Sequence, residues 1–294
     1  MIAIDWGTSS FRAYRVDAKG ATLERRSAAR GILTVPQNDF AGVLAAEIGD
    51  WLDREPGPIV MSGMIGSRQG WIEVPYVECP AAPETIARSC KQVAWHDGRQ
   101  ALIVPGVSCR DASGVPDVMR GEETQIFGAL SELPAEATVC LPGTHSKFAR
   151  IRGGRIQDFA TSMTGEAFAT LWQHSILGRL GSSDTVDDLD AFDAGIDRSA
   201  QSQGLLHHLF GVRARGLFGE IQPSSLASYL SGILIGHEIR ASEPSGPVAI
   251  IGAIELARLY GRALGRLRVE VRLIHSEHAA RGLWLIGGIA GGRT

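Results

Sequence analysis

No apolar run in the sequence approaches the ~18–20 residues needed to cross a bilayer, so no membrane segment is expected. Cysteine is scarce: Cys79, Cys90, Cys109 and Cys140 stand far apart with no CxxC pair. That spacing argues against a zinc site or a disulfide framework and fits a reducing cytoplasm. Charge of one sign is missing as well, with 29 Lys+Arg against 32 Asp+Glu and a net charge of −3. Such a balance gives no general attraction to nucleic acid or to a membrane surface. The opening residues Ile2-Ala3-Ile4-Asp5 carry no basic region and no long apolar stretch, so no signal peptide is expected there. Low-complexity segments and long linkers are absent too. Glycine, by contrast, is abundant at 36 of 294 residues, roughly 12% against about 7% usually. It has no three-residue period, which excludes collagen. Either the chain has many loops, or it needs bare backbone at several places, with ligand approach the favoured use.

The length suits two domains of roughly 100–200 residues or one large one. Residues 2–5 form a short apolar strand closed by an acid, and Trp6 to Ser10 a turn. Strands are expected at 11–16 and 21–28, then a helix carrying Phe40, Val43, Leu44, Ile48 and Leu52, capped by Asn38 or Asp39. A strand at 59–61, a helix over 84–93, a strand at 101–104 and a helix over 121–133 complete a βββαβαβα series. The order then restarts, with strands at 138–141, 148–151 and 155–160 and a helix capped by Thr164. A helical insert follows, with a polar loop at 181–188. A long helix from Ser224 or Ser225 to Ile239, a strand at 248–251, a helix at 253–264, a strand at 269–274 and a helix at 278–284 end the chain. Gly7-Thr8-Ser9-Ser10 matches Gly143-Thr144-His145-Ser146, each between strands in the same order. The expected fold is therefore α/β, built from two duplicated βββαβαβα domains, 1–133 and 134–294.

A tight turn between strands points backbone N–H groups at one anion, and Thr or Ser hydroxyls add donors. Gly7, Thr8, Ser9 and Ser10 meet that need, as do Gly143, Thr144, His145 and Ser146. Facing each other across a cleft, two such turns would hold a polyphosphate. Asp5 offers a carboxylate for Mg²⁺, while the second copy has Leu141 in its place. Arg12 and Lys147 would neutralise phosphate charge. His145 is expected to be a turn donor rather than a metal ligand. His207-His208 and His275 with His278 look like exposed residues, and the apolar stripes in 225–239 and 278–285 like core.

The duplicated pattern with Asp5-x-Gly7-Thr8-Ser9-Ser10 resembles the ribonuclease H-like, actin/hexokinase-type superfamily. More closely, the chain resembles the 2-dehydro-3-deoxygalactonokinase family. The resemblance lies in IAIDWGTSSFRAYRV (2–16), MSGMIGSRQGW (61–71), PDVMRGEETQIFGAL (116–130), LPGTHSKFARI (141–151), SMTGEAFATLW (162–172) and AIIGAIELARLYGRAL (249–264). It implies a cytoplasmic enzyme of two domains around a central cleft. The reaction implied is transfer of the ATP γ-phosphate to the O6 hydroxyl of 2-dehydro-3-deoxy-D-galactonate in galactonate catabolism. Its partners would be ATP, Mg²⁺ and the sugar acid, without nucleic acid or membrane; a homodimer stays open. Carried over, Asp5 would sit at the metal and catalytic centre with the first turn, Lys147 with the second, and the segment at Gly252 near adenine or ribose. The Gly287-Gly288 and Gly291-Gly292 pairs lie outside the pattern.

The loop Ser62-Gly63-Met64-Ile65-Gly66-Ser67-Arg68-Gln69 follows a strand of the first half, where open α/β sheets bind ligands. Ser67, Arg68 and Gln69 supply the hydroxyl partners and the cation that a sugar acid needs. Ser62, Gly63, Met64 and Gly66 complete the expected acceptor loop. Glu122 and Glu123 open a helix behind Gly121; either suits the base toward O6, or both simply complement the helix dipole. Asp117 and Glu166 are lesser candidates. Two further readings stand beside the kinase. An exopolyphosphatase-like phosphohydrolase would lack a closed sugar-acid loop. A sugar-sensing regulator would carry a DNA-binding module ahead of the first hairpin, for which residue 2 leaves no room.

Overall fold

The computed structural model describes residues 1–292 except 55–56, 96–97, 183, 185 and 275–277. Contacts divide it into two units. The first comprises Met1–Glu136, Ala149–Phe159 and Ser276–Thr294, the second Ala137–Phe148 and Ala160–His275.

In the first unit, β1 (Ile2–Trp6), β2 (Phe11–Val16) and β3 (Thr22–Ala28) form an antiparallel meander. All of β1 is buried, as expected for a central strand covered on both faces. β4 (Ile59–Ser62) joins β1 in parallel, and β7 (Gln100–Ile103) joins β4. With β6 (Lys91–Ala94) on the far edge, the sheet order is β3-β2-β1-β4-β7-β6. A small second sheet, β5 (Val77–Glu78), β8 (Val107–Arg110) and β9 (Pro116–Met119), escapes the sequence pattern because its strands are two to four residues long. Helix α1 (Phe40–Arg54) starts where the Gly42 N–H donates to Asp39 Oδ1 at 2.8 Å, so Asp39 is the cap. Its stripe Phe40, Leu44, Ile48 and Trp51 packs into one core with Ile4, Trp6 and Met61.

Two helices differ from the sequence expectation. α2 (Pro83–Ser89) stops early, because Lys91–Ala94 pairs antiparallel with β7. α9 (His278–Ala290) runs through Gly287 and Gly288. It packs against α3 (Glu122–Ala129) of the first unit.

The second sheet has the order β12-β11-β10-β13-β14, from β10 (Glu136–Leu141), β11 (Ser146–Arg152), β12 (Arg155–Ser162), β13 (Val248–Ile251) and β14 (Val271–Ile274). β10–β13 and β13–β14 are parallel. The two larger sheets share one five-strand order, β3-β2-β1-β4-β7 in the first and β12-β11-β10-β13-β14 in the second, the repeat expected of the actin/hexokinase-type α/β fold. The helices are α4 (Thr164–His174), α5 (Leu189–Ser199), α6 (Gly204–Leu217), α7 (Leu226–Ser242) and α8 (Ile254–Arg266). α7 is apolar nearly all round and lies buried, as such a helix must. His208 and His278, expected to be exposed, are buried; the Nδ1 of His208 lies 2.9 Å from His237 Nε2. His275 lies outside the described residues.

Part of the glycine serves helix crossings. Between α3 and α9, a Cβ on Gly128 would lie 2.0 Å from the His278 carbonyl oxygen, and one on Gly282 would lie 1.8 Å from that of Thr124. Between α5 and α7, a Cβ on Gly195 would meet the Tyr229 oxygen at 2.3 Å, and one on Gly232 the Phe192 oxygen at 2.0 Å. Bare backbone at both crossings lets the helices approach more closely than side chains permit.

Candidate active site

In the first unit the turn 7–10 joins β1 to β2. It is closed by the Gly7 N–H donating to the Ser10 carbonyl at 2.8 Å. Behind it, Ile32 and Leu33 donate to the Gly7 and Thr8 carbonyls at 3.0 and 3.4 Å. A Cβ on Gly31 would strike Thr8 O at 2.1 Å, so only glycine allows this backing. Among the described residues, the N–H groups of Thr8 and Ser9 have no protein partner, and both residues are exposed. That is the pattern of a backbone anion nest.

Asp5 is the penultimate residue of β1, beside this turn, and is buried. Its cross-strand neighbour Arg12 pairs with it, Nη2 to Oδ2, at 3.1 Å. Burial pushes the Asp5 carboxyl above its usual range; Arg12 opposes the shift and the nearby Glu122 adds to it. Gly63 and Gly121 bring backbone close to the same carboxylate. A Cβ on either would lie 3.2 or 3.8 Å from Asp5 Oδ1, and both glycines have positive φ, 90° and 110°. The structure thus gathers Asp5, Gly63, Gly121 and Glu122 around one point.

The two glutamates separate. Glu122 is half-buried and accepts the Arg120 N–H at 3.0 Å. Glu123 is fully buried and accepts the Gly121 N–H at 2.7 Å, while its Oε1 has no partner. Burial, with Glu122 next in effect, pushes Glu123 up to about 8. The folded state therefore holds a proton that the unfolded chain releases near 4.5. Stability from this group is complete below that value and is lost as pH rises toward 8, at roughly 1 kcal/mol per unit. Thermal melts between pH 5 and 9 should show Glu123→Gln gaining on the parent protein with rising pH and levelling off above pH 8. A constant difference would contradict the shift.

The acceptor loop begins at Ser62, whose hydroxyl lies 3.4 Å from that of Thr124. Gly63, Ile65 and Gly66 are buried, while Arg68 and Gln69 are exposed. The Arg68 side chain is 86% exposed and pairs with Glu73 at 3.0 Å. Arg68, Gln69 and Trp71 line a cavity of about 510 Å³ together with Leu33, Asn38 and Phe40. Asn38 and Gln37 both have left-handed backbone, φ 59° and 51°. Strain of this kind concentrates at ligand sites. Sequence reasoning missed the Leu33–Asn38 wall, since nothing local marks it as a partner of residue 68. Arg120 clamps the loop from behind, donating to the Val74 carbonyl at 2.8 Å and lying 4.2 Å over the Tyr76 ring.

In the second unit the turn at 142–145 repeats the first. The N–H groups of Gly143, Thr144 and His145 have no protein partner among the described residues. α4 starts against it: the Glu166 N–H donates to Thr144 O at 3.0 Å, and a Cβ on Gly165 would lie 2.5 Å from Gly143 O. His145 Nε2 meets Glu166 Oε2 at 2.5 Å. Lys147 is buried and donates to the His145 carbonyl at 2.8 Å. Ser146 is buried and donates to Glu238 at 2.6 Å. Thr164 makes no capping bond to its own helix; its hydroxyl donates to Glu238 as well. Glu238 was missed in the sequence, although one acid inside an apolar helix must find partners when buried. Gly252 is exposed at the β13–α8 connection, where a Cβ would lie 3.3 Å from Pro142 Cδ. A largely apolar cavity of about 410 Å³ adjoins the turn, lined by Gly143, Thr144, Gly165, Phe168, Leu256 and Tyr260 among others.

Residues 5–286 match the model of the 2-keto-3-deoxy-galactonokinase family. The probable 2-dehydro-3-deoxygalactonokinase of Rhizobium meliloti is 39% identical over 292 residues, covering 95% of this chain and 93% of that protein. The 2-dehydro-3-deoxygalactonokinase of Escherichia coli is 33% identical over 282 residues, covering 95% and 94%. A crystal structure from Sinorhizobium meliloti, of a protein provisionally named for the same activity, superposes with a TM-score of 0.88. It shares 35% identity over 99% of this chain and 98% of that one.

Proposed function

The chain belongs to the 2-keto-3-deoxy-galactonokinase family and is a kinase, and from that premise we propose that it moves the γ-phosphoryl group of ATP to the O6 hydroxyl of 2-dehydro-3-deoxy-D-galactonate. The family match over nearly the whole chain carries this reading. The phosphohydrolase and regulator alternatives find no support among the relatives.

Phosphoryl transfer of this kind is chiefly positioning and charge stabilisation. The turn 7–10 receives phosphate oxygens on its two unpartnered N–H groups and on the hydroxyls of Thr8, Ser9 and Ser10, and the turn at 142–145 does the same in its unit. Lys147 and Ser146 are buried within their unit and stiffen that turn from inside. The adjoining apolar cavity suits a nucleoside base, and Gly252 lets the β13–α8 connection approach Pro142. Asp5 fits a magnesium ion: it is a hard oxygen donor whose burial and nearness to Glu122 a cation relieves. When bound, Mg²⁺ would neutralise charge on the phosphate oxygens. Of the two glutamates, half-buried Glu122 is the one available to take the O6 proton, and Glu123 holds the helix start. Arg68 and Gln69, facing Asn38 across their cavity, recognise the sugar acid together with the neighbouring Ser67, with Arg68 on the carboxylate. A kinase drawing on ATP with four free thiols suits the cytoplasm, and among the described residues no helix is long and apolar enough to cross a membrane.

Coupled ADP release against a panel of 2-keto-3-deoxy sugar acids and neutral sugars tests the substrate; turnover confined to a neutral hexose would sink it. Within that assay, Arg68→Ala should raise KM for the sugar acid about tenfold, as expected for a lost charge-assisted contact, and leave KM for ATP unchanged. Because its partner Glu73 is also exposed, the loss of their pair should hardly change stability. An equal shift in both KM values would remove Arg68 from acid binding.

A further inference from the structure

Glu238 sits about one turn before the end of α7, 5% exposed, where an unpaired carboxylate would be costly. Three hydroxyls reach it from three other elements. Ser146, next to the turn at 142–145, donates to Oε1 at 2.6 Å. Thr164, at the start of α4, donates to Oε2 at 2.6 Å, and Tyr260 of α8 donates to the same oxygen at 2.5 Å. Short O–H bonds to a carboxylate are the strong kind. A hydroxyl has one proton, so Ser146 and Thr164 spend theirs on Glu238 and cannot also donate to phosphate.

These partners are the frame of the nucleotide site proposed above. Ser146 anchors the turn, Thr164 precedes the Gly165–Glu166 backbone that abuts it, and Tyr260 walls the adjoining cavity. We infer that Glu238 is a positioning residue for the nucleotide, locking the phosphate turn, the start of α4 and the cavity wall into one arrangement before ATP arrives. The inference rests on the reading that this turn and cavity hold the nucleotide. With the lock in place, the turn's N–H groups are presented without reorganisation, which strengthens binding by lowering its ordering cost. Nothing in the lock belongs to the acceptor loop, so sugar-acid binding is independent of it.

The test measures ADP affinity by calorimetry and both KM values for Glu238→Ala, Glu238→Gln, Ser146→Ala and Gly165→Ala. Glu238→Ala should weaken ADP and raise KM for ATP about 10–100-fold, with KM for the sugar acid within twofold. Glu238→Gln should fall between, since an amide can serve some of the three hydroxyls but not all. Ser146→Ala should weaken ADP about 3–10-fold and add little in a Glu238→Ala background, because the two act through one bond. If Glu238→Ala does not fold, Ser146→Ala and Thr164→Ala carry the test, and unchanged ADP affinity in both overturns the inference. Gly165→Ala, whose Cβ must displace the turn, separates the two ideas. If it weakens ADP while the Glu238 variants do not, the lock is wrong and the nucleotide site stands. If none of them alters ADP affinity, the site itself is misplaced and the lock falls with it.

Discussion

Asp5→Asn should lower kcat by about 10²–10³-fold, the scale seen when one charge-stabilising group is removed from a reaction centre. The melting temperature should stay level or rise. Both halves of that expectation come from the same burial. The carboxylate is held one residue before the end of β1 among backbone from Gly63 and Gly121, with the cation Arg12 3.1 Å away and Glu122 within its field. Desolvation makes the ionised form costly there, and a group kept at such a cost is a candidate for function. Asparagine fills the same volume without charge. It spares the fold that cost but gives a metal or a phosphate-bound cation only a weak carbonyl donor. KM for the sugar acid should move only a few-fold, because the acceptor loop reaches Asp5 through Gly63 and not through Arg68. Parent-like turnover at saturating substrates would take Asp5 out of the mechanism. A collapse of the melting temperature would instead make it structural.

The elements that surround Asp5 were largely legible in the sequence, for a local reason. β1 and β4 are short apolar runs followed at once by glycine, and β2 alternates up to Asp17; such periodicity survives in any context. Lys91–Ala94 shows the limit. Its residues tolerate a helix, but pairing with β7 holds them extended; tertiary contacts override propensity. The two turns were visible because glycine and hydroxyl residues cluster in each. What could not be read was partnership at a distance. Glu238 meets Ser146 and Thr164 across 92 and 74 residues, and Asn38 shares a cavity with Arg68 only once the sheet has formed. The glutamate pair was equally opaque, because adjacent residues on a helix point about 100° apart. Only the packed structure shows that Glu123 faces inward and Glu122 stays half-open.

The glycine excess leads to the second large effect. Gly282→Leu should abolish folding of the first unit, and Gly282→Ala should cost on the order of 3 kcal/mol or more, beyond the usual range for one added methyl. A Cβ at 282 would sit 1.8 Å from the Thr124 carbonyl oxygen, and the facing Gly128 is equally tight against His278. No rotamer change relieves a clash with backbone, so α3 and α9 must separate. That separation would reach the reaction centre, because α3 starts at Glu122, beside the Gly121 that stands against Gly63 and Asp5. Gly282→Ala, where it still folds, should therefore lose activity as well as melting temperature. Gly265→Ala is the matched control: the same methyl on α8 meets nothing within 4 Å, and alanine suits a helix better than glycine by about 1 kcal/mol. Its melting temperature should hold or rise. Equal losses at 265 and 282 would mean that the crossing does not set the demand for glycine at 282. A loss confined to 282 would show that part of the glycine excess keeps α3 in place under the proposed base rather than lining a ligand.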